Sequence, residues 1–172
     1  MARELLGKLL VRSEGDRATV LRINEVEAYL GFEDPACHTF RGRRTRRTET
    51  MWGEAGVAYV YLVYGIHHCL NVVTVGPGHP EAVVLRGAAV RDGHDLVRTR
   101  RGPRVGEAAL TAGPGKLCQA LGVTRDLDGI DLCRSRSALR ICDDGLRVSD
   151  AQSRQTPRVG VDYAGEAASW PL

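Results

Sequence analysis

Apolar and polar side chains alternate between Glu25 and Gly31, in the sequence EVEAYLG. In a β-strand, side chains two residues apart lie on the same face. Glu25, Glu27 and Tyr29 are therefore predicted to share one face of a strand over residues 17–30, with apolar side chains on the other face. A carboxylate beside an aromatic ring suits general-base chemistry on a planar ligand. A half-buried strand with a wet outer face would show the same pattern.

A second set of apolar residues lies on both sides of Gly65, within residues 57–75. Both flanking segments are rich in β-branched and aromatic residues, which favour strands. A glycine between two such segments is typical of a turn. The pattern predicts a β-hairpin with its bend near Tyr64 and Gly65, followed by a further strand over residues 82–90.

Helical patterns are confined to two short segments. Leucines at positions 5, 6, 9 and 10 predict an amphipathic helix over residues 2–11. Residues 113–122 have proline near the start and glycine at the end, the usual order in a short helix. Residues 32–50 are predicted as a loop, and the chain after residue 122 as short strands and turns. Strands outnumber helices without alternating with them, which predicts an α+β fold with a mostly antiparallel sheet.

The composition is that of a globular protein, with 43% hydrophobic and 26% charged residues among 172. That length fits one domain with a sizeable core. No apolar run approaches the roughly 18 residues of a membrane span, and no basic start precedes an apolar stretch as in a secretion signal. A soluble cytoplasmic protein is therefore expected.

Arginine dominates the basic residues. Only Lys8 and Lys116 among the 24 basic residues are lysines, and the net charge is +3. Arginines concentrate in residues 41–47 and again in residues 98–104. Such clusters can neutralise phosphates, and they can equally form solvated loops.

The five cysteines include no C-x-x-C pair. Their number and spacing argue against a disulfide framework and against a structural zinc site. His67, His68 and Cys69 are consecutive, but neighbouring residues on a strand point to opposite faces. No metal site is therefore predicted.

Four single residues have both a structural and a functional interpretation. Tyr64, at a hairpin tip, either packs back onto the body or is presented to a partner, as are side chains that wedge into a nucleic-acid stack. Asn71 lies among apolar residues and is either a satisfied structural amide or a recognition group. Arg86 either ends a strand in solvent or directs its charge into a cleft. His38 is either a surface residue or part of a site with Glu27.

The sequence GPGK at residues 113–116 resembles an anion-binding turn at a helix N-terminus. Leucine after the lysine breaks the nucleotide-binding pattern G-x-x-x-x-G-K-[ST], so only a single phosphate contact remains possible. No G-x-S-x-G motif supports a serine nucleophile. Schiff-base chemistry would need Lys8, Lys116 or the amino terminus, and neither lysine lies near Glu27 in the sequence.

Taken in order, these segments resemble the alkyladenine (3-methyladenine) DNA glycosylase family over nearly the whole chain. The resemblance is carried by residues 2–11, 25–31, 38 with 43–47, 59–71, 84–86, 113–121, 158–161 and 164–166. It implies a single domain over residues 1–172, with a curved, mostly antiparallel sheet, flanking helices and a protruding β-hairpin that inserts into DNA. Such an enzyme flips an alkylated or deaminated purine out of duplex DNA and hydrolyses the N-glycosidic bond, leaving an abasic site.

The resemblance also implies which residues bind and cleave the damaged nucleotide. Glu27 matches the general base that activates water for attack at C1′. Tyr29, His38 and Tyr61 match the side chains that stack on and line the flipped base. Asn71 matches the pocket residue that clashes with the exocyclic amine of guanine.

Further positions match contacts to the duplex. Tyr64 matches the ring that is inserted into the gap left by the base. Arg86 matches a basic residue close to the catalytic site and the DNA backbone, and Arg43 and Lys116 match phosphate contacts. Thr48 departs from the family, which usually has asparagine there. The resemblance implies a monomer whose partner is double-stranded DNA with damaged purines. It also implies that the enzyme uses no metal and no organic cofactor and has no lyase activity.

Two other functions stay open. A damaged-DNA-binding protein of the same fold could lack turnover, and a hydrolase could act on a free nucleoside or glycoside. The arginine clusters and Tyr64 argue against the hydrolase, because a free small molecule needs neither. Glu27 argues against the pure binder, because a protein facing phosphate anions gains nothing from a carboxylate there.

Overall fold

The computed structural model describes residues 1–172 and contains one six-stranded sheet with three helices. Every strand pairing is antiparallel, in the order β3-β4-β5-β2-β1-β6. The predicted α+β fold is therefore confirmed. None of the helices is long and apolar enough to cross a lipid bilayer. The elements are α1 (Ala2–Leu5), β1 (Leu9–Glu14), β2 (Arg17–Tyr29), β3 (Ala58–Val63), β4 (His67–Val73), β5 (Ala82–Asp92), α2 (His94–Arg101), α3 (Pro114–Leu121) and β6 (Leu139–Cys142).

The predicted helix over residues 2–11 is wrong beyond its first turn. α1 ends at Leu5, and Gly7 has a left-handed φ of 83° at a position where a Cβ would lie 2.5 Å from Leu146. The following residues form β1, which turns at Gly15 and pairs with β2. A two-residue turn with glycine at positive φ is the connection that antiparallel hairpins prefer. Pairing with a long neighbouring strand thus overrides the local helical spacing of the leucines.

β3 and β4 form the predicted hairpin, connected by residues 64–66. Tyr64 and Gly65 have positive φ values of 52° and 73°. Glycine adopts this conformation without strain, whereas a bulky residue rarely does. The turn therefore holds the backbone of Tyr64 in an unfavourable conformation.

The second half of the chain agrees with the sequence only in part. β5 and α3 lie where they were predicted, and Gly122 ends α3 in the left-handed conformation. α2 was not predicted. The short strands expected after residue 122 reduce to β6, and the connections contain 3₁₀ turns instead.

The two faces of the sheet have different surroundings. α2 and α3 cover one face, where a cluster of 20 buried residues forms the main core. The strands contribute Leu10, Leu21, Ile23, Ala58, Val60, Leu70, Val72, Val83, Leu85, Ala88 and Leu139 to it, and α2 and α3 contribute Val97, Leu117, Cys118, Ala120 and Leu121. The opposite face, here called the open face, is bordered by two small apolar clusters built around Met51 and around Ala164.

Strand register places side chains from four strands in one row on the open face. Tyr59 pairs with Asn71, Asn71 with Val84, and Val84 with Glu27. The pairing of β2 with β5 shifts on both sides of Glu25, and such irregularities bend a strand and redirect its side chains. Residues far apart in the sequence therefore meet above the centre of the sheet.

Candidate active site

The open face carries a cavity of about 450 Å³. Its walls come from β2 to β5, from residues 36–38, from the β3–β4 hairpin and from residues 159–163. Most of its lining residues are hydrophobic, as is usual in pockets for small planar ligands. The lining includes the predicted site residues Glu27, Tyr29, His38, Tyr61, Tyr64, Asn71 and Arg86.

Glu27 is the only carboxylate that lines this cavity, and the residue is 5% exposed. Its Oε1 accepts a hydrogen bond from the backbone N–H of Val159 at 2.7 Å and lies 3.2 Å from Nε of Arg86. Its Oε2 accepts a hydrogen bond from the hydroxyl of Tyr29 at 3.1 Å. A buried charge needs such partners. Two hydrogen-bond donors and the ion pair with Arg86 therefore fix the orientation of both carboxylate oxygens.

Arg86 links Glu27 to the second carboxylate of β2. Nε of Arg86 donates to Glu25 Oε1 at 3.0 Å. The side chain of Glu25 is 50% exposed, whereas that of Glu27 is 6% exposed. The two carboxylates thus face the same guanidinium, as expected from their spacing, but only Glu27 reaches the cavity.

Three rings form the wall opposite β2. The ring centroids of His38 and Tyr61 are 4.7 Å apart in an edge-to-face arrangement, and those of Tyr59 and Tyr61 are 5.1 Å apart. Nδ1 of His38 and the hydroxyl of Tyr59 are 3.0 Å apart and share a hydrogen bond. Burial, together with the positive charges of Arg47 and Arg43, lowers the pKa of His38 to about 4. The wall is therefore uncharged at neutral pH.

Tyr29 lies on the Glu27 side of the cavity. Burial and the neighbouring carboxylate of Glu27 raise the pKa of Tyr29. The phenol therefore stays protonated and acts as a donor to Glu27. On the ring itself, the guanidinium carbon of Arg158 lies 4.8 Å from the ring centroid, a cation–π distance.

Asn71 occupies the middle of the four-strand row and is buried. Its Nδ2 donates to the backbone carbonyl of Tyr59 at 3.0 Å. This contact orients the amide within the cavity wall. Asn71 is thus both a satisfied polar group and a cavity-lining side chain.

Tyr64 lines the mouth of the cavity but is 90% exposed. Ile66, two residues further along the same turn, is also exposed. The ring therefore does not pack back onto the body of the protein. Exposed apolar side chains on a protruding turn are typical of groups that contact a partner.

Arg43 and Lys116 lie outside the cavity, and both are exposed. Lys116 lies in the first turn of α3, where a Cβ on Gly115 would lie 3.2 Å from His67. α3 therefore begins beside the base of the β3–β4 hairpin. Arg43 is close enough to His38 to affect its pKa. Thr48 is buried and accepts a hydrogen bond from a backbone N–H of the same loop at 2.9 Å.

Sequence reasoning missed several residues of the site. Tyr59 could have been found from its spacing, because it shares a strand face with Tyr61. Arg47, whose guanidinium carbon lies 4.7 Å from the ring centroid of Tyr61, was recognised only as part of a cluster. Val159 contributes a backbone N–H, and no side-chain pattern reveals that contact. Arg158 was noted only as part of the family resemblance.

A larger groove of about 680 Å³ lies beside the cavity and shares Glu27 and Val159 with it. It has no aromatic side chain in its lining, so it offers a planar ligand no stacking surface. We therefore place the candidate site in the smaller cavity. No group of three or more metal-ligating side chains that could hold an ion is present, and His67, His68 and Cys69 do not form one.

The open face of the antiparallel sheet thus joins one buried carboxylate, neutral rings and an exposed tyrosine in a single pocket, a composition typical of ligand-binding and catalytic sites. A profile of the family described as methylpurine-DNA glycosylase (MPG) matches residues 1–172. This chain belongs to that family. The predicted family, and with it the class of DNA-repair glycosylases, is therefore confirmed.

Three similar proteins align with almost the whole of this chain. A protein of Bdellovibrio bacteriovorus is 46% identical over 172 residues, which cover 100% of this chain and 86% of the relative. A protein of Myxococcus xanthus is also 46% identical, covering 100% and 81%. A protein of Desulfitobacterium hafniense is 42% identical over 178 residues, covering 99% and 86%. All three carry the name "Putative 3-methyladenine DNA glycosylase".

Proposed function

We propose that this protein excises alkylated or deaminated purines, the 3-methyladenine, hypoxanthine and ethenoadenine class, from double-stranded DNA. One observation carries the proposal. A single buried carboxylate, held by two hydrogen bonds and one ion pair, faces a cavity walled by neutral aromatic rings. Family membership and the names of the relatives support the same reaction class.

Glu27 is the general base of the proposed reaction. The damaged purine departs with the electron pair of the N-glycosidic bond, and positive charge develops on the sugar, as in glycoside hydrolysis. Water attacks C1′, and Glu27 accepts its proton. The carboxylate also stabilises the developing positive charge. Arg86 forms an ion pair with Glu27 and lines the cavity. It holds the Glu27 carboxylate in place and lies near the DNA backbone.

The flipped base lies in the cavity between Tyr29 and the wall formed by His38 and Tyr61. Stacking of a base on aromatic side chains contributes about 1–3 kcal/mol. Because the wall is neutral, both neutral and cationic damaged purines can stack on it. Asn71 excludes a base that carries the exocyclic amine of guanine, since its amide is held by Tyr59 and cannot turn away freely.

Tyr64 enters the duplex from the hairpin and fills the space that the base leaves. Removing a base from the stack costs a few kcal/mol, which an inserted ring and the stacking pocket offset. Arg43 and Lys116, exposed on either side of the cavity rim, contact phosphates. Neither lysine nor the amino terminus lines the cavity. The reaction therefore ends at the abasic site without a Schiff base and without strand cleavage.

The first prediction concerns Glu27. Glu27→Gln keeps the shape of the side chain but removes the base, so the single-turnover rate of base release falls about 10²- to 10⁴-fold. Glu25→Gln, which alters the other carboxylate on Arg86, is the matched control and stays close to the wild-type rate. The substrates are duplexes with one hypoxanthine, ethenoadenine or 3-methyladenine. Abasic sites are scored as strand breaks after alkali.

Three results would contradict the proposal. Equal rates for Glu27→Gln and wild type would remove Glu27 as the base. Strand breaks without alkali would show lyase activity. Wild-type protein that binds the three lesions but releases no base would instead be a damaged-DNA-binding protein of the same fold.

A further inference from the structure

Arg158 and Asp34 form an ion pair that is fully buried, with both side chains at 0% exposure. Nη1 and Nη2 of Arg158 donate to the two oxygens of Asp34 at 2.5 and 2.8 Å. The same nitrogens donate to the backbone carbonyls of Ala28 and Ala167, each at 3.1 Å. One guanidinium thus ties together the end of β2, the turn after it and the C-terminal region.

Asp34 is held equally firmly on its own side. Its oxygens accept hydrogen bonds from the backbone N–H groups of Leu30 at 3.1 Å and Ala36 at 3.0 Å. Burial alone would raise the pKa of Asp34, but the hydrogen bonds from Arg158 and these N–H groups hold it below its usual value. The pair therefore stays charged at neutral pH. A buried ion pair is weak support for a purely stabilising role, because a hydrophobic replacement is often as stable.

Within residues 154–160 only Arg158 is buried, and the next buried residue is Val161. Residues 154–160 belong to no helix or strand and make no backbone–backbone hydrogen bond. The side chain of Val159 is exposed, so packing does not fix this residue either. The position of the Val159 N–H therefore depends on the preceding guanidinium.

Arg158 reaches both oxygens of Glu27 indirectly. The N–H of the next residue, Val159, donates to Oε1. The ring of Tyr29, on which the guanidinium of Arg158 stacks, donates its hydroxyl to Oε2. Both hydrogen-bond donors to Glu27 thus adjoin a residue that forms no hydrogen bond or ion pair with Glu27 itself.

We propose that Arg158 is a positioning residue for base excision, which through its buried pair with Asp34 holds the Val159 N–H and the Tyr29 hydroxyl against the carboxylate of Glu27. The inference rests on the proposed function, in which Glu27 is the general base. Positioning errors of about 1 Å can reduce a rate about 10²-fold. Loss of Arg158 therefore slows the chemical step far more than it weakens lesion capture, because only Tyr29 among the proposed base-binding side chains lies against Arg158.

The test measures single-turnover base release and lesion-duplex affinity in the same variants. In Arg158→Met the rate falls about 10- to 100-fold, whereas the affinity for an ethenoadenine duplex falls much less, because Tyr61, His38 and Tyr64 remain in place. Arg158→Lys, which restores the charge but not the paired geometry, recovers part of the rate.

Leu139→Ala is the control for lost stability. Leu139 is fully buried on β6, at the edge of the sheet away from the cavity. Its variant keeps the wild-type rate per folded molecule and the wild-type affinity for the lesion duplex. Should Arg158→Met not fold, replacing the Val159 amide by a backbone ester removes only the donor to Oε1, and this alone slows base release at least several-fold.

A double variant separates this inference from the proposed function. If both changes act through Glu27, Glu27→Gln/Arg158→Met is no slower than Glu27→Gln alone. Independent, additive losses overturn the positioning role. So does an Arg158→Met or ester protein with the wild-type rate while Glu27→Gln is inactive. An active Glu27→Gln protein overturns the proposed function itself.

Discussion

β4 shows the difference between the two sheet faces most directly, because its residues alternate between them. Leu70 and Val72 lie in the core under the helices, whereas Asn71 lines the cavity on the open face. On the core face, any apolar side chains that fill the same volume would satisfy the packing. On the open face, positions are specified by hydrogen bonds, such as that from Asn71 to the carbonyl of Tyr59. Stability and chemistry are thus carried by alternate residues of the same strand.

The largest effect that separates the faces should come from neighbouring residues of β4. Leu70→Ala leaves a cavity in the core and lowers the free energy of unfolding by about 2–5 kcal/mol, without changing excision per folded molecule. Asn71→Ala costs about 1 kcal/mol of stability through one lost hydrogen bond. It increases excision of 7-methylguanine relative to hypoxanthine by about tenfold, because a steric clash is worth about 1–3 kcal/mol.

Denaturant unfolding and competition between the two lesions measure both quantities. A change of lesion preference in Leu70→Ala, or its absence in Asn71→Ala, would show that the two faces are not functionally separate.

A smaller effect is expected at the tip of the hairpin, which belongs to neither face. Tyr64→Ala leaves the unfolding free energy within about 0.5 kcal/mol of wild type, since the side chain is exposed. Capture of the flipped nucleotide weakens by about 1–3 kcal/mol, the value of one stacked ring. Ethenoadenine fluorescence reports the flipped state. Unchanged capture would rule out the wedge role, and Ile66→Ala tests whether any apolar tip residue suffices.

The smallest effect concerns His38, whose pKa burial and the charges of Arg47 and Arg43 lower to about 4. Between that value and about 6.5, the unfolded chain binds a proton that the folded protein does not. Folding stability therefore falls as pH drops through this window, by about 1 kcal/mol at pH 5.5. His38→Gln removes this part of the pH dependence. An NMR titration of His38 with a midpoint near 6.5 would show that the wall is charged at mildly acid pH.

Local patterns were sufficient for the elements that nearby residues determine. The alternation around Glu27, the turn at Gly65 and the proline and glycine that bound α3 all have local causes. The prediction of a helix over residues 2–11 was wrong because residues 9–14 form β1, which pairs with both β2 and β6. α2 was missed because only Val97 among its residues is buried, which leaves almost no periodic signal.

Side-chain direction in the cavity was predictable from spacing where the residues lie on strands, whereas the loop residue His38 was identified through the family resemblance. Glu27, Tyr61 and Asn71 have their faces set by period and register. The contact between Arg158 and Asp34 joins residues 124 positions apart, and no spacing rule predicts it. Residues 154–160 have no periodic pattern, so the donor at Val159 could not be placed without the fold.

The four-strand row from Glu27 through Val84 and Asn71 to Tyr59 sets the distance between Glu27 and the aromatic wall of the cavity. Neighbouring strands lie about 4.8 Å apart, so the row spans about 14 Å from Glu27 to Tyr59. Inserting or deleting one residue in any of these strands would move its following side chains to the opposite face. The four strands must therefore keep their residue count for these side chains to lie in one row on the open face.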